Sequence, residues 1–466
     1  MDFVAGVDSS TQSVKIQIHE AISGKLVRQG RATHPEGTEV HPEKWRVALQ
    51  EAIDDAGGLS DVSAISIAGQ QHGMVALDSS GEVLRPALLW NDTRSADAAA
   101  DLNRECGGEQ AMADAVGSVL VASFTAAKVR WVRDHEPGLA KEIAAVALPH
   151  DWLSWKLAGG TDIGEIFTDR SDASGTGYFN SVTNQYRHDL LALALRSDRT
   201  ISLPRIIDPH DFGGKTTGGI LIAAGAGDNA AAALGIQAEP GDVIVSLGTS
   251  GTAFAVSATP THDSKGEIAG FADATGIFLP LVCTLNAARI MDAASRILGV
   301  TLDEVGALAL QAQPGAHGLT LLPYFEGERT PNRPSAQGVL SGMTLSNATP
   351  ANIARAMVEG MLGGLADAVH SLREAGVAIH RIILIGGAAK NSAVGPIASS
   401  LFGAEVLVPE PGEYVARGAA RQAAWALSGS TTPTPWNLGE MERYLEEPTP
   451  EVMVRYRNLR EHTLGW

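Results

Sequence analysis

Asp228 follows three small residues, Gly225-Ala226-Gly227, at the end of the apolar run Ile220-Leu221-Ile222-Ala223-Ala224, and an Ala-rich segment succeeds it. A carboxylate placed where a strand gives way to a helix stands at the ligand crevice of an α/β sheet, within reach of a hydroxyl whose proton it can take. The same position suits a helix N-cap, for which Asp is a favoured residue. A cap needs no glycine-lined approach, whereas a reacting hydroxyl does.

Two other segments share one design. Phe3-Val4-Ala5-Gly6-Val7 enters the turn Asp8-Ser9-Ser10-Thr11-Gln12-Ser13 and leaves through Val14-Lys15-Ile16-Gln17-Ile18. Val243-Ile244-Val245-Ser246 enters Leu247-Gly248-Thr249-Ser250-Gly251-Thr252 and leaves through Ala253-Phe254-Ala255-Val256. Both read as β-hairpins whose turns offer backbone N–H groups and small hydroxyls, the equipment a polyphosphate needs. Only the first carries an acid. Asp8 closes an apolar strand beside that turn and is placed to hold Mg²⁺, directly or through water. It also fits a turn residue bonded to its own backbone, but a carboxylate there is costly unless paired or metal-bound. Thr249 and Ser250 equally suit an ordinary hairpin.

Gly386-Gly387-Ala388 after Arg381-Ile382-Ile383-Leu384-Ile385 is a tight βα turn that, with the two hairpins, makes a nucleotide cradle. Gln71-His72 and Trp90-Asn91-Asp92-Thr93-Arg94 each end an apolar strand. Lone His and Trp residues are more often core than ligand, yet a sugar needs hydrogen-bonding edges and a flat apolar face together. Lys128 and Trp131 share one helix face, where a snorkelling Lys is as good a reading as contact with substrate.

A chain of 466 residues is too long for one core and suggests two domains. With 44% hydrophobic and 19% charged residues it is globular, and a formal charge of −18 without Lys/Arg clusters argues against a nucleic-acid surface. The two cysteines, Cys106 and Cys283, have no zinc or redox spacing, so a reduced cytoplasmic protein is expected. No apolar stretch spans a bilayer, and Met1-Asp2 enters a strand with no basic n-region.

Helices are expected at Pro42 to Ala56, Ser95 to Arg104, Ala126 to His135, Trp152 to Leu157, Leu285 to Leu298, Pro350 to Ala375 and Val394 to Leu401. Strands are expected at Val62 to Ala68 (the third strand, following the first hairpin), Met74 to Asp78, Ile220 to Ala224, Arg381 to Ile385 and Ala404 to Val408. Gln237 to Asp242 reads as a linker and a hinge element, and Ser428 to Pro435 as a loop before a short helical tail. Strands alternating with helices, and a hairpin opening each half, indicate an α/β fold with mixed sheets.

Nearly the whole chain resembles the FGGY carbohydrate kinase family, in the superfamily of actin, Hsp70 and hexokinase. Ser123-Phe124-Thr125-Ala126-Ala127-Lys128-Val129-Arg130-Trp131-Val132 is similar to its first signature. Gly338-Val339-Leu340-Ser341-Gly342-Met343 through Asn352-Ile353-Ala354-Arg355-Ala356-Met357-Val358-Glu359 is similar to its second. Gly69-Gln70-Gln71-His72-Gly73, Leu89-Trp90-Asn91-Asp92, Gly227-Asp228-Asn229 and Leu322-Pro323-Tyr324 with Gly327-Glu328-Arg329-Thr330-Pro331 resemble most closely the members that phosphorylate D-xylulose. Gln71 stands where those members usually have Met, and Ser10 where they usually have Gly.

The resemblance implies a two-lobed actin-like, ribonuclease H-like ATPase fold, with two similar mixed-sheet domains around a cleft. Residues 1–240 would bind sugar and residues 241–466 ATP. It implies Asp228 as the base with Asn229 beside it on the sugar, Asp8 on the Mg²⁺ of ATP, and Thr11, Gln12 and Ser13 facing the transferred phosphoryl group. Thr249 would contact phosphates, Gly387, Ala388 and Asn391 would border adenosine, and Gln71, His72 and Trp90 would line the sugar pocket. A homodimer is implied, with ATP and a small sugar as its partners. Kinases of other ketopentoses, pentitols or glycerol, and an actin-like or chaperone ATPase, are the alternatives.

Overall fold

The computed structural model describes residues 2–465. They group into two compact units. The first runs through Ala238 and adds Ala258–Leu279 and Glu413–Asn437; the second holds Glu239–Ser257, Pro280–Gly412 and the chain from Leu438 onward. A division at residue 240 leaves 258–279 and 413–437 in the second domain, whereas they group with the first.

The first unit opens with the antiparallel hairpin β1 (Phe3–Ser9) and β2 (Ser13–Glu20), extended by β3 (Leu26–Thr33). The strand Val62–Gly69 (β4) is thus not the third of the chain, since β3 and the short strand Glu39–Val40 come before it, and it pairs parallel with the other edge of β1. Beyond β4 lie β5 (Phe212–Lys215) and β6 (Leu221–Ala223), and a short β7 (Ala226–Gly227) adds to the far end of β4. The second unit has a sheet of the same kind. In it β8 (Asp242–Leu247) and β9 (Gly251–Ala255) form the hairpin, β10 (Phe278–Thr284) flanks β9, and β11 (Arg381–Ile385) and β12 (Glu405–Pro409) follow β8 in parallel before β13 (Met441–Tyr444). Both sheets are mixed, as the alternating pattern predicts.

Strand parity explains how β1 is covered on both sides. Ala5 and Val7 face a core with Trp45 of α1 (Glu43–Asp55) and Trp152 and Trp155 of α2 (Pro149–Leu157). Val4 faces the other way, into a cluster with Ala420, Ala423, Ala424 and Trp436. Those alanines belong to a helix, Tyr414–Ser428, that no sequence pattern above anticipates. Gly6 shares the face of Val4, and a Cβ there would lie 2.0 Å from the Ala416 carbonyl oxygen.

The same helix crosses Asp228–Gly235, which Asp228 opens, on glycine contacts. A Cβ on Gly235 would fall 2.0 Å from the Tyr414 oxygen, and one on Gly418 1.8 Å from the Ala231 oxygen. Backbone meets backbone, so neither side can yield. Gly418→Val is therefore expected to destabilise the protein by at least ~2 kcal/mol, read as a lower urea midpoint at unchanged m-value; an unaltered midpoint would contradict this packing.

Other boundaries moved for local reasons. Trp152–Leu157 is the end of a helix that starts at Pro149, whose fixed φ and missing N–H suit a first turn. The helix expected from Leu285 starts at Ala288 and runs to Leu298. Pro350–Glu374 forms as predicted, with the Thr349 side chain accepting from the Asn352 N–H and Pro350 in the first turn. The tail holds the helix Pro450–His462. Among the described residues no helix is long and apolar enough to cross a membrane.

Candidate active site

In the first unit the predicted residues collect at the carboxyl ends of adjacent parallel strands. Asp8 lies near the end of β1, opposite Ala68, and Gln71 and His72 follow the end of β4. Asp228 follows β7, whose Gly227 is paired with Gly69. This is the edge where parallel α/β sheets bind ligands.

Asp8 is buried and pairs across the hairpin with Lys15, whose Nζ is 3.7 Å from Asp8 Oδ2 and 2.6 Å from Glu413 Oε2. Asp8 Oδ1 has no hydrogen-bond partner. Burial raises the carboxyl most, Lys15 works against it, and Asp228 and Glu413 add repulsion, leaving it at about 7. A buried carboxylate with one oxygen unpaired suits a hard cation.

Asp228 is the first residue of its helix, and Gly227 is the N-cap. The capping alternative is thus not what the structure shows. One carboxylate oxygen accepts from the Asn229 N–H and from Asn229 Nδ2, each at 2.7 Å, which makes Asn229 a brace for the acid. Burial raises the Asp228 carboxyl and the two Asn229 bonds lower it, giving about 6. That is a fitting value for a base that must be ionised near neutrality yet accept a proton.

The approach to Asp228 is pinned from the Tyr414–Ser428 helix. Gly225 has φ +87°, and the break between β6 and β7 takes it out of the strand ladder. The Gln422 amide replaces that ladder: its Oε1 accepts from Gly225 N–H (3.0 Å) and Ser66 Oγ (2.7 Å), and its Nε2 donates to the Gly225 oxygen (2.8 Å). Gln422→Leu strands buried polar groups at a cost of about 2 kcal/mol or more. Lower thermal stability together with a lower kcat is the expected result, and wild-type kcat would show that Gly225 is held by other means.

Around the acids, Gln71 Nε2 donates to the Ser171 oxygen at 2.7 Å and sits against Gly227. His72 adopts φ +71°, places Nδ1 2.6 Å from the Gly175 oxygen, and packs its ring on Phe124 and Phe271. The Trp90 indole N–H donates to Thr11 Oγ1 at 2.8 Å, tying the expected sugar wall to the expected phosphate turn. In that turn Ser10 N–H bonds the Ser13 oxygen, Ser13 is buried and Gln12 is exposed. Gln70, which sequence reading passed over, is buried with neither amide atom partnered, so it can offer a ligand hydroxyl both a donor and an acceptor.

Lys128 and Trp131 are placed differently from the substrate-contact reading. Lys128 is fully buried and its Nζ donates to the Ala122 oxygen, while burial holds its ammonium down at about 8. Trp131 carries the guanidinium groups of Arg94 and Arg85 on its ring.

In the second unit the Thr249 turn and the Gly386-Gly387 turn end the neighbouring parallel strands β8 and β11. Thr249 and Gly387 are exposed and Ala388 is half-buried. Gly386, at φ +96°, lies so close to Leu247 that a Cβ would meet its carbonyl at 2.7 Å. The Asn391 side chain is committed to the protein, donating to the Leu302 oxygen (2.7 Å) and accepting from Ala393 N–H (3.1 Å).

Residues 3–235 match the FGGY family of carbohydrate kinases, N-terminal domain, and residues 243–427 match its C-terminal domain. The chain belongs to the FGGY family of carbohydrate kinases. Among curated members it is 42% identical to a xylulose kinase of Streptomyces coelicolor, over 91% of this chain and 88% of that protein. It is 32% identical to the xylulose kinase of Escherichia coli, over 91% and 90%. A crystal structure of xylulose kinase from Bifidobacterium adolescentis superposes with a TM-score of 0.92 at 48% identity, covering 98% of this chain and 99% of that one. Family membership makes the chain a carbohydrate kinase with ATP as its phosphoryl donor.

Proposed function

We propose that this kinase transfers the γ-phosphoryl group of ATP to the C5 hydroxyl of D-xylulose, giving D-xylulose 5-phosphate and ADP. The observation that carries the chemistry is Asp228: an acid braced by Asn229, held near 6, at the end of a glycine-lined strand. The choice of sugar is supported by relatives called xylulose kinases that align along nine-tenths of the chain.

Asp228 accepts the hydroxyl proton as the C5 oxygen forms its bond to the γ-phosphorus, and the bond to the β,γ-bridging oxygen breaks to release ADP. Gln71, His72 and Trp90, with Asn229 and the unpaired amide of Gln70, hold the sugar. Thr11, Gln12 and Ser13 offer the turn that faces the transferred group. In the second unit, Thr249 serves the phosphates, Gly387 and Ala388 border the adenosine, and Asn391 keeps their turn in place. Asp8 would hold Mg²⁺, which when bound supplies positive charge to the phosphate oxygens. Its unpaired buried oxygen is the support for that role. The loose transition state of phosphoryl transfer makes positioning and electrostatics the main sources of rate.

A homodimer working in the cytoplasm is part of this reading, and sedimentation of the purified protein tests the dimer. The reaction itself is tested by incubating the enzyme with ATP and D-xylulose and following ³¹P NMR. A phosphomonoester on C5 and stoichiometric ADP are expected. ADP formed at the same rate without sugar would replace the kinase reading with a sugar-independent ATPase.

A further inference from the structure

Below the strand ends of the first unit lies a charge cluster that the reaction as described does not use. His150, in α2, is fully buried, and so are the three carboxylates around it. Its Nε2 is 3.2 Å from Asp169 Oδ1, 3.2 Å from Asp172 Oδ2 and 3.5 Å from Asp151 Oδ1. The ring lies directly under the route to Asp228: a Cβ on Gly225 would meet His150 Cε1 and Nδ1 at 2.8 Å, and one on Gly69 would meet His150 Cβ at 3.1 Å.

From this ring a chain of hydrogen bonds leads out to the site. Asp169 caps the short helix Arg170–Ala173, accepting from the Ser171 N–H (2.6 Å), the Ser171 hydroxyl and the Asp172 N–H (3.1 Å). With its proton given to Asp169, Ser171 Oγ accepts from the Gly227 N–H at 3.0 Å, the peptide next to Asp228. The Ser171 carbonyl accepts from Gln71 Nε2 at 2.7 Å. Thus one serine fixes both the acid's N-cap and a side chain of the sugar wall.

We propose that His150, Asp169 and Ser171 form a buried positioning relay, in which His150 serves as a fixed cation that orients Asp169, Asp169 orients Ser171, and Ser171 sets Gly227 and Gln71 for sugar binding and proton transfer. Burial raises the Asp151 carboxyl to about 6 and the Asp172 carboxyl well above its ordinary value, so the charge that the cluster does carry requires a positive partner, and the imidazolium lies among all three acids. Burial opposes its charging, but Asp172, Asp151 and Asp169 outweigh that and push it up to about 10, so it stays protonated through the working pH range. The relay rests on the proposed roles of Asp228 and Gln71, and its test has an arm independent of them.

The test compares full-length wild type with Ser171→Ala, His150→Gln and His150→Lys. The first arm follows amide hydrogen exchange of the peptide spanning 222–230 without substrate. Exchange is expected to quicken in Ser171→Ala and His150→Gln and to return toward wild type in His150→Lys, where an ammonium replaces the imidazolium. The second arm is kinetic, using the sugar best accepted by wild type. Ser171→Ala and His150→Gln should lose about 10-fold in kcat and raise the KM for sugar while the KM for ATP holds, with His150→Lys recovering most of the loss. Unchanged exchange in Ser171→Ala, or His150→Lys no better than His150→Gln, overturns the relay. So does a stoichiometric divalent metal that elemental analysis finds retained in Asp8→Asn and lost in His150→Gln, which would make the cluster a metal site. Faster exchange with unaltered kinetics would keep the contacts but overturn the relay's part in the reaction, and Asp228→Asn, which leaves the relay's own groups in place, tells that failure from a failure of the functional reading.

Discussion

Asp228→Asn lowers kcat by roughly 10²- to 10⁴-fold and leaves the KM values for ATP and sugar within a few-fold of wild type. An asparagine oxygen can still accept the two Asn229 bonds, so the helix start and its surroundings persist, but it cannot take the proton of the attacking hydroxyl. The pH profile carries the same information. Wild-type kcat/KM should fall as pH drops through about 6, where the carboxylate becomes protonated, and this limb should be absent from the residual activity of the variant. Stability should move the other way. A carboxyl raised from 3.8 to about 6 binds its proton more tightly in the folded state, so stability is lost as pH rises through that interval. At pH 7.5 the Tm of Asp228→Asn is therefore expected to equal or exceed that of wild type. Unchanged kcat would remove Asp228 from the mechanism.

Asp8→Asn is expected to lower kcat by about 10²-fold or more and to raise the Mg²⁺ concentration needed for half-maximal rate. It exchanges a buried carboxylate with one unpaired oxygen for an amide of the same shape, so the loss falls on charge and not on packing. Lys15→Met separates the metal role from mere pairing. If Asp8 only balances Lys15, at 3.7 Å, the two variants should be equally impaired; if it holds the metal, Lys15→Met should keep the wild-type Mg²⁺ titration. An unaltered titration in Asp8→Asn would refute the metal assignment.

Much of this candidate site's placement could be read in the sequence because its residues stand at strand ends, where a local motif states the turn. Asp8, Gln71 and Asp228 each follow a buried run, and the sheet then brings those ends together. The supports were illegible for two physical reasons. The Tyr414–Ser428 helix is covered by β1 on one side and by the Asp228–Gly235 helix on another, and it meets both through small residues, Gly418, Ala420, Ala423 and Ala424 among them, so few large apolar side chains mark its buried faces in the sequence. Its Ala-rich composition was the available signal. The relay from His150 to Ser171 to Gly227 depends on contacts far apart in the chain, which no local pattern reports; the polar run Thr168-Asp169-Arg170-Ser171-Asp172 was the hint. Parity on β1 explains why Asp8, on the face of Gly6, finds Lys15 and Glu413 beside that helix.

The most direct measurement is a coupled ADP-release assay giving kcat/KM for D-xylulose, D-ribulose, pentitols, glycerol and gluconate under identical ATP and Mg²⁺. D-Xylulose is predicted to have the highest value by a wide margin, with little ADP released in the absence of sugar. Equal or better turnover of any other sugar on the panel would contradict the assignment.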